Sequence, residues 1–318
     1  MKISTHDWTV LLAGGTGTRL RGWVGPDDGG HIPKPYRRLV GGAALLDQAV
    51  ARARNVVPAC RLVLVVSAEH ETFWRPRRAD LPGATWLVQP GDRGTGVAIL
   101  SALSFILLRD PEATLTIMPV DQAVDDEKTF LAGILKGRRV VKRHPQQTIL
   151  FGCAETEVDD GYGWIVPGEA LEPNVRRVTR FVGQSDAEES RRLRQSGALV
   201  DTFLLVGSAR GLLAQFRRTD PELIDGYLAS LLDAGPTPAS LMRLQVSLPT
   251  IEFGRWFLES AAARGELAVA TLPSCGWADV GTPERVLAWL DRYSPVKADG
   301  EVPEAPARDD SSWTSPRS

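Results

Sequence analysis

Short apolar runs alternate along this chain with longer segments in which apolar residues recur every three or four positions. In the first half, the short runs predict strands at Trp8–Ala13, Leu62–Ser67, Thr85–Val88 and Thr114–Pro119. The longer segments predict helices at Ala44–Asn55, His70–Arg78 and Gly96–Arg109. This alternation is typical of βαβ units, whose mostly parallel sheet is buried on both faces. We therefore expect an α/β fold that binds its ligand beyond the carboxyl ends of the strands.

The second half has shorter connections between its apolar runs, after a helix predicted at Asp125–Arg143. Strands are predicted at Thr148–Ala154, Trp164–Val166, Val175–Val182, Ala198–Val206 and Leu267–Leu272. Helices are predicted at Asp186–Gln195, Ser208–Arg217, Pro221–Ala234, Phe253–Arg264 and Pro283–Tyr293. This pattern favours a mixed-sheet extension of a Rossmann-like sheet. We expect one domain over residues 1–293, divided near residue 147, and a disordered tail over 294–318, where apolar residues almost disappear.

A glycine-rich loop follows the first predicted strand and carries the first chemical signal. The predicted nucleotide-binding residues are Leu12 and Ala13 at the end of the strand and Gly14, Gly15, Thr16, Gly17 and Thr18 in the loop. Arg19 follows at once, and Lys34 follows after a short loop. Successive backbone N–H groups in such a turn form a concave donor surface for phosphate oxygens, and two cations lie beside it. No Gly-Lys-Ser/Thr follows the glycines, and the third glycine of a dinucleotide fingerprint is missing. The loop is therefore predicted to bind a nucleoside triphosphate in another way.

The segments Gly14–Leu20 and Pro33–Pro35 resemble the opening of the sugar-phosphate nucleotidyltransferases, which reads Gly-Gly-x-Gly-Thr-Arg-Leu and then Pro-Lys-Pro. The resemblance implies a Rossmann-like nucleotidyltransferase fold. It also implies an enzyme that joins the nucleotide of an NTP to a sugar 1-phosphate and releases pyrophosphate. Arg19 and Lys34 would then be the catalytic cations at the α-phosphorus. Positioning and charge neutralisation would carry such a reaction, because the acceptor phosphate is already a nucleophile.

Two aspartates are candidate ligands for a metal ion. Asp121 follows the strand predicted at Thr114–Pro119, and Asp279 lies in the turn Gly276–Gly281. Two carboxylates together with substrate phosphates suit Mg²⁺, a hard cation that retains several waters. Taken alone, Asp121 is as readily a turn or cap residue. The two segments resemble the family's Pro-Ala-Asp-His and Trp-Ser-Asp-Val-Gly, and this resemblance implies that both aspartates bind Mg²⁺.

The segment that opens the helix predicted at Gly96–Arg109 bears on the choice of nucleotide. Gln89, Arg93, Gly94 and Thr95 lie in a stretch that resembles the Glu-Pro-x-x-Arg-Asn-Thr of the guanylyl-transferring branch. The resemblance is strongest to mannose-1-phosphate guanylyltransferases and implies that these four residues bind GTP. A helix start loosened by glycine is the alternative interpretation.

The acceptor side follows the family less well. Tyr162 and Gly163 lie in a segment that resembles the family's Gly-Tyr-Gly-Tyr-Ile, and Asp201 lies where the family has Trp-Asn-Ser-Gly. The resemblance implies that all three residues bind the sugar. Tyr162 is equally a candidate core residue. Val-Glu-Lys-Pro is replaced by Val182–Ser185, which lacks the phosphate-binding lysine, and Ile-Asp-Tyr-Ala by Phe253–Trp256. The candidates for a replacement cation are Arg177, Arg180 and Arg255. Three hypotheses stay open: a mannose-1-phosphate guanylyltransferase, a non-catalytic nucleotide-binding relative, and the same chemistry on another acceptor phosphate.

Composition narrows the partners and the compartment. A net charge of −2 over 318 residues gives no basic excess for nucleic acid or an anionic membrane. The longest apolar run is too short to span a bilayer, and the first residues lack the apolar core of a signal peptide. Three widely spaced cysteines predict no disulfide framework. We expect a reduced, cytoplasmic protein with nucleotide and sugar-phosphate substrates; its oligomeric state, homodimer or other, stays open.

Overall fold

A nine-stranded sheet with helices on both faces forms the protein. The structure is a computed structural model that describes residues 4–15, 17, 32–39, 42–154, 161–183, 185–235 and 237–291. Its strands are β1 Asp7–Ala13, β2 Leu62–Ser67, β3 Thr85–Gln89, β4 Thr114–Pro119, β5 Gln122–Ala123, β6 Thr148–Cys153, β7 Trp164–Glu172, β8 Val175–Val182, β9 Leu199–Ser208, β10 Leu267–Thr271 and β11 Ala278–Asp279. Its helices are α1 Leu45–Arg54, α2 Glu71–Asp80, α3 Gly94–Leu107, α4 Glu127–Arg143, α5 Ala187–Gln195, α6 Ala209–Thr219, α7 Pro221–Ala234, α8 Pro238–Ser247, α9 Glu259–Ala263 and α10 Pro283–Asp291.

The strand order of the large sheet is β3-β2-β1-β4-β9-β6-β10-β8-β7. The first four strands of this order are parallel, as in a Rossmann-like unit. Strand β9 is antiparallel to both β4 and β6, and β7 and β8 add further antiparallel pairs. The expected α/β fold, with a mixed-sheet extension after a mostly parallel sheet, is confirmed. One sheet runs through both predicted halves, so the two share a continuous backbone framework.

Burial explains why the apolar runs became strands of a covered sheet. Every residue of β2 is buried, as expected for a strand with helices on both faces. Helix α3 is buried from Gly96 to Ile106, because it packs between the sheet and helices α6 and α8. Apolar side chains form a separate core on each face of the sheet. The described part of the chain contains no helix long and apolar enough to cross a bilayer.

Several elements differ from the sequence prediction. Helix α8 was not predicted; Thr237 and Ser240 form a capping box at its start, and Pro238 occupies its first turn. The helix predicted at Phe253–Arg264 begins with a π-helical turn, Gly254–Leu258. The two-residue strands β5 and β11 were also missed, because two residues are too few to show an apolar period. The predicted tail, 294–318, lies outside the described residues.

Candidate active site

A cleft with a volume of about 570 Å³ opens at the carboxyl ends of β1 to β4. This is the edge of the sheet at which the sequence analysis predicts that a ligand binds. The predicted site residues that line the cleft are Leu12, Gly14, Gly15, Gln89, Gly94, Thr95, Asp121, Tyr162, Gly163, Asp201 and Asp279. Residues predicted for the nucleotide, the metal and the acceptor therefore share one cavity, although they come from six separate segments of the chain.

Several predicted residues lie elsewhere. Ala13 is fully buried in β1, and the Arg93 guanidinium donates to the carbonyl of Val246 at 3.1 Å, at the end of α8. Gly17 and Lys34 lie next to the cleft rather than in its lining. Thr16, Thr18, Arg19 and Gln184 lie outside the described residues.

Lys34 joins the two predicted metal-binding carboxylates. Its Nζ lies 2.9 Å from Oδ2 of Asp121 and 3.4 Å from Oδ1 of Asp279. The lysine side chain is only 5% exposed, whereas the aspartates are 37% and 24% exposed and face the cleft. The ammonium therefore balances two carboxylates that would otherwise repel each other at close range. No third His, Cys, Asp or Glu completes a metal-binding group within the described ranges.

Strands β5 and β11 bring these carboxylates together. They form an antiparallel pair in which Asp279 lies opposite Gln122, the residue after Asp121. The side chain of Gln122 accepts a hydrogen bond from the Trp277 indole at 2.9 Å and donates one to the carbonyl of Thr202 at 2.6 Å. Because these bonds are buried, they fix the position of the pair. The tryptophan before the predicted metal aspartate thus positions it and does not contact the cleft through its N–H.

Gly17 allows Lys34 to approach the glycine-rich loop. The backbone of Gly17 has a φ of 61°, a left-handed conformation that favours glycine. A methyl group at Gly17 would lie 2.5 Å from Cβ of Lys34. The third glycine of the loop is therefore required for the placement of the lysine.

One end of the cleft, here called the base end, carries the residues predicted to bind the base and lies at the carboxyl ends of β2 and β3. Gln89 packs against Gly14, and Glu69 and Asp92 add carboxylates to the lining. The backbone N–H of Gly94 donates to Oδ1 of Asp92 at 2.9 Å, and that of Gly96 donates to the carbonyl of Ile251 at 3.0 Å. Two N–H groups at the start of α3 are thus used within the protein. Hydrogen-bond acceptors dominate the side chains at this end of the cleft.

The other end of the cleft, here called the acceptor end, carries the residues predicted to bind the sugar, and it is acidic. Asp201 and Glu252 both line it, and the backbone N–H of Asp201 donates to the carbonyl of Gly163 at 2.8 Å. Burial raises the pKa of the Asp201 carboxyl to about 7, although the N–H of Phe203 donates to this carboxyl at 3.0 Å and favours its charged form. Asp201 therefore keeps its proton to a higher pH than an exposed aspartate, and in that form it can donate a hydrogen bond.

Glu252 was missed by the sequence analysis. Its carboxylate accepts hydrogen bonds from the backbone N–H groups of Gly254 and Arg255, at 3.1 and 2.7 Å, and so caps the π-helical turn. The signal was available: Ile251-Glu252-Phe253-Gly254 matches Ile-Asp-Tyr-Ala better than the segment that begins at Phe253. The better register places a carboxylate in the cleft.

The arginines predicted as replacement cations do not line the cleft. Arg180 pairs with Glu189 at 3.0 Å and is 60% exposed, and Arg177 and Arg255 are exposed on the surface. A different arginine, Arg285 of α10, lies against two site residues, Asp279 and Tyr162. No sequence motif pointed to Arg285, because it belongs to none of the family's segments quoted above.

Comparison with known protein families identifies the first half of the fold. Residues 9–146 match the family model described as MobA-like NTP transferase domain. This range covers β1 to β4, with the glycine-rich loop, Lys34 and Asp121. The resemblance to sugar-phosphate nucleotidyltransferases, predicted from short motifs, is confirmed.

Individual relatives extend the similarity into the second half. The chain is 26% identical over 281 residues to the xanthan biosynthesis protein XanB of Xanthomonas campestris, covering 86% of this chain and 57% of that protein. It is 24% identical over 302 residues to a mannose-1-phosphate guanylyltransferase of Sinorhizobium fredii, covering 92% and 56%. The chain thus spans little more than half the length of these relatives.

A solved structure shares the fold. The protein titled mannose-1-phosphate geranyltransferase from Thermus thermophilus superposes with a TM-score of 0.75 at 24% identity, over 87% of this chain and 77% of that chain. The shared region includes both halves of the sheet, so the mixed extension is part of the common architecture.

Proposed function

We propose that this protein transfers the guanylyl group of GTP to mannose 1-phosphate and releases pyrophosphate. The observation that carries the proposal is the contact of one lysine, Lys34, with two cleft-facing aspartates, Asp121 and Asp279, beside a glycine-rich loop. The NTP transferase match over residues 9–146 and the names of the curated relatives support the reaction class and the substrates.

In the proposed reaction, an oxygen of the acceptor phosphate attacks the α-phosphorus of GTP. The new P–O bond forms as the bond to the β-phosphate oxygen breaks, and pyrophosphate leaves. The chain need not supply a general base, because the attacking phosphate oxygen is already ionised. Lys34 would stabilise the charge that develops around the α-phosphate, and the backbone at Gly14 and Gly15 would hold the triphosphate close.

Asp121 and Asp279 fit Mg²⁺ as its protein ligands. Both offer hard carboxylate oxygens, and both face the cleft. When bound, Mg²⁺ would neutralise phosphate charge and polarise the α-phosphoryl group. The remaining ligands would come from water and the triphosphate.

The preference for guanine is supported by the hydrogen-bond acceptors among the side chains at the base end of the cleft. Guanine presents two adjacent donors, N1–H and the 2-amino group, and the lining offers Glu69, Asp92 and Gln89. A carboxylate can accept both donors at once. Mannose would place its hydroxyl groups against Asp201 and Glu252, which are acceptors of the type that polyols require.

A pyrophosphate-release assay with GTP, ATP, UTP and dTTP, each combined with mannose 1-phosphate or glucose 1-phosphate, tests the proposal. We expect release that is fastest with GTP and mannose 1-phosphate and that is lost in Asp121→Asn. Equal rates with all four nucleotides would contradict the base preference. Absence of release with every pair, on a correctly folded protein, would contradict transfer to these two acceptors.

The second candidate is a non-catalytic relative that binds nucleotide or nucleotide sugar. It is favoured by one observation: among the described residues, the lining of the acceptor end contains no lysine or arginine. Tight binding of GTP or GDP-mannose without pyrophosphate release would support this function. Release with a different phosphorylated acceptor would support the same chemistry on another substrate.

A further inference from the structure

We propose that Arg285 is a positioning residue that holds Asp279 and the acceptor-side loop 161–163 in a single arrangement. The inference rests on the proposed function, because that function gives Asp279 and Tyr162 their roles. The inference gives helix α10 a part in organising the site, although this helix lies outside residues 9–146, which match the family model.

Arg285 contacts one residue from each part of the cleft. Its Nη1 donates a hydrogen bond to Oδ2 of Asp279. The carbon of its guanidinium lies 3.8 Å from the centroid of the Tyr162 ring. The side chain is only 9% exposed, so both contacts are shielded from water. Shielding strengthens ion pairs and cation–π contacts relative to those on an open surface.

The contact with Asp279 fixes the direction of its carboxylate. Arg285 holds Oδ2, whereas Oδ1 faces Nζ of Lys34. With one oxygen held on each side, rotation of the carboxylate would break a charged hydrogen bond. Partners that orient a metal-binding side chain commonly change metal affinity or activity by about 10–100-fold when they are removed. Arg285 is therefore expected to prepare Asp279 for Mg²⁺ without itself contacting the metal.

The contact with Tyr162 fixes the acceptor-side loop. The next residue, Gly163, accepts a hydrogen bond from the N–H of Asp201 on β9, so the loop is held by α10 on one side and by the sheet on the other. Asp121, Lys34, Asp279, Arg285 and Tyr162 thus form a continuous chain of contacts. This chain connects the phosphate end of the cleft to its acceptor end.

Four variants separate the two contacts. Arg285→Gln removes the charge and weakens the contacts with both Asp279 and Tyr162. Arg285→Lys keeps a cation beside Asp279 but loses the planar group that stacks on Tyr162. Tyr162→Leu removes only the aromatic ring that Arg285 contacts. Arg217→Gln is the matched control, since Arg217 pairs with Asp225 on the exposed surface. The affinity for Mn²⁺ in the presence of GTP is measured by electron paramagnetic resonance. The affinities for GDP-mannose and for GDP are measured by calorimetry, and their ratio gives the contribution of mannose to binding.

We expect Arg285→Gln to weaken Mn²⁺ binding by about tenfold. It should also reduce the affinity that mannose adds to GDP by about threefold to tenfold. Arg285→Lys and Tyr162→Leu should reduce the contribution of mannose while keeping Mn²⁺ affinity near that of the wild type. If Arg285→Gln does not fold, the two affinities of Arg285→Lys test the inference instead. A merely structural role would leave both affinities of Arg285→Lys unchanged.

The outcomes distinguish this inference from the proposed function. Wild-type binding of both ligands, with unchanged affinities in Arg285→Gln and Arg285→Lys, would overturn the role of Arg285 and leave the transferase proposal standing. A folded wild-type protein that binds neither GTP nor GDP-mannose would overturn both.

Discussion

Nζ of Lys34 lies 2.9 Å from Oδ2 of Asp121, although the lysine follows the glycine-rich loop and the aspartate follows β4. Both residues are therefore held at the same edge of the sheet by neighbouring strands, β1 and β4. The pair has a simple consequence for chemistry. A cation placed in advance beside the phosphate end of the cleft needs little reorganisation when charge develops there.

Removal of the Lys34 ammonium should slow pyrophosphate release strongly. We expect Lys34→Ala to reduce the rate by about 10²-fold or more, the scale for one preorganised electrostatic donor. The sequence motif predicts a similar loss for Arg19→Ala. Lys142→Ala is the control, because Lys142 pairs with Asp7 away from the cleft and is 47% exposed. A near wild-type rate in either site variant would show that the assigned roles are wrong.

Activity should depend on a divalent cation through the two aspartates. Chelation with EDTA should abolish pyrophosphate release, and added Mg²⁺ should restore it. Asp121→Asn and Asp279→Asn should each lower the rate by about 10²–10³-fold, since a metal ion at a phosphoryl group contributes several kcal/mol. Asp47→Asn, which removes only the surface pair with Arg77, should have no such effect. Full activity in EDTA would contradict the metal assignment.

Two glycines of the same loop should respond differently to alanine. Gly17→Ala places a methyl group against Cβ of Lys34 on a left-handed backbone, so we expect a loss of about 1–3 kcal/mol in unfolding free energy and slower transfer. Gly15→Ala meets no atom within 4 Å and should leave stability within about 0.5 kcal/mol of the wild type. Because Gly15 lines the cleft, its variant should instead weaken GTP binding. Denaturant titration and calorimetry measure the two effects, and equal stability losses would contradict the argument.

Asp201 should make stability depend on pH. Its pKa is raised to about 7 in the folded protein, against about 4 in an unfolded chain. Between these values the folded protein retains a proton that the unfolded chain has lost, so stability falls as pH rises from about 4 to 7. Asp201→Asn removes this dependence, and its advantage over the wild type should grow from near zero at pH 4 to about 4 kcal/mol at pH 8, the value that linkage gives for a pKa raised from about 4 to about 7.

Denaturant titrations of both proteins at several pH values measure this difference. Asp225→Asn, on the exposed surface, is the control and should not change the slope. A constant difference between Asp201→Asn and wild type across the range would show that Asp201 titrates normally.

Most of the fold could be predicted from the sequence, because parallel strands that are buried on both faces appear in it as continuous apolar runs. Strands β1, β2 and β4 lie within a residue of their predicted limits. The two kinds of failure have different causes. Helix α8 depends on its capping residues more than on an apolar period, and β5 and β11 exist only because each pairs with the other.

The sequence alone determined the chemistry of the phosphate end, since glycines, a lysine and two aspartates at fixed spacings are local signals. The rule for the edge of a parallel sheet brings the glycines and Asp121 to one cleft, whereas Asp279 reaches it through the β5–β11 pair. Tertiary structure decided what no spacing encodes: that Lys34 bridges Asp121 and Asp279, that Arg93 holds α8 instead of facing the cleft, and that Arg285 reaches Asp279 and Tyr162. The physical reason is that side-chain pairing between distant segments depends on how helices pack on the sheet. Burial sets the pKa of Asp201 in the same way, through neighbours that only the folded chain brings together.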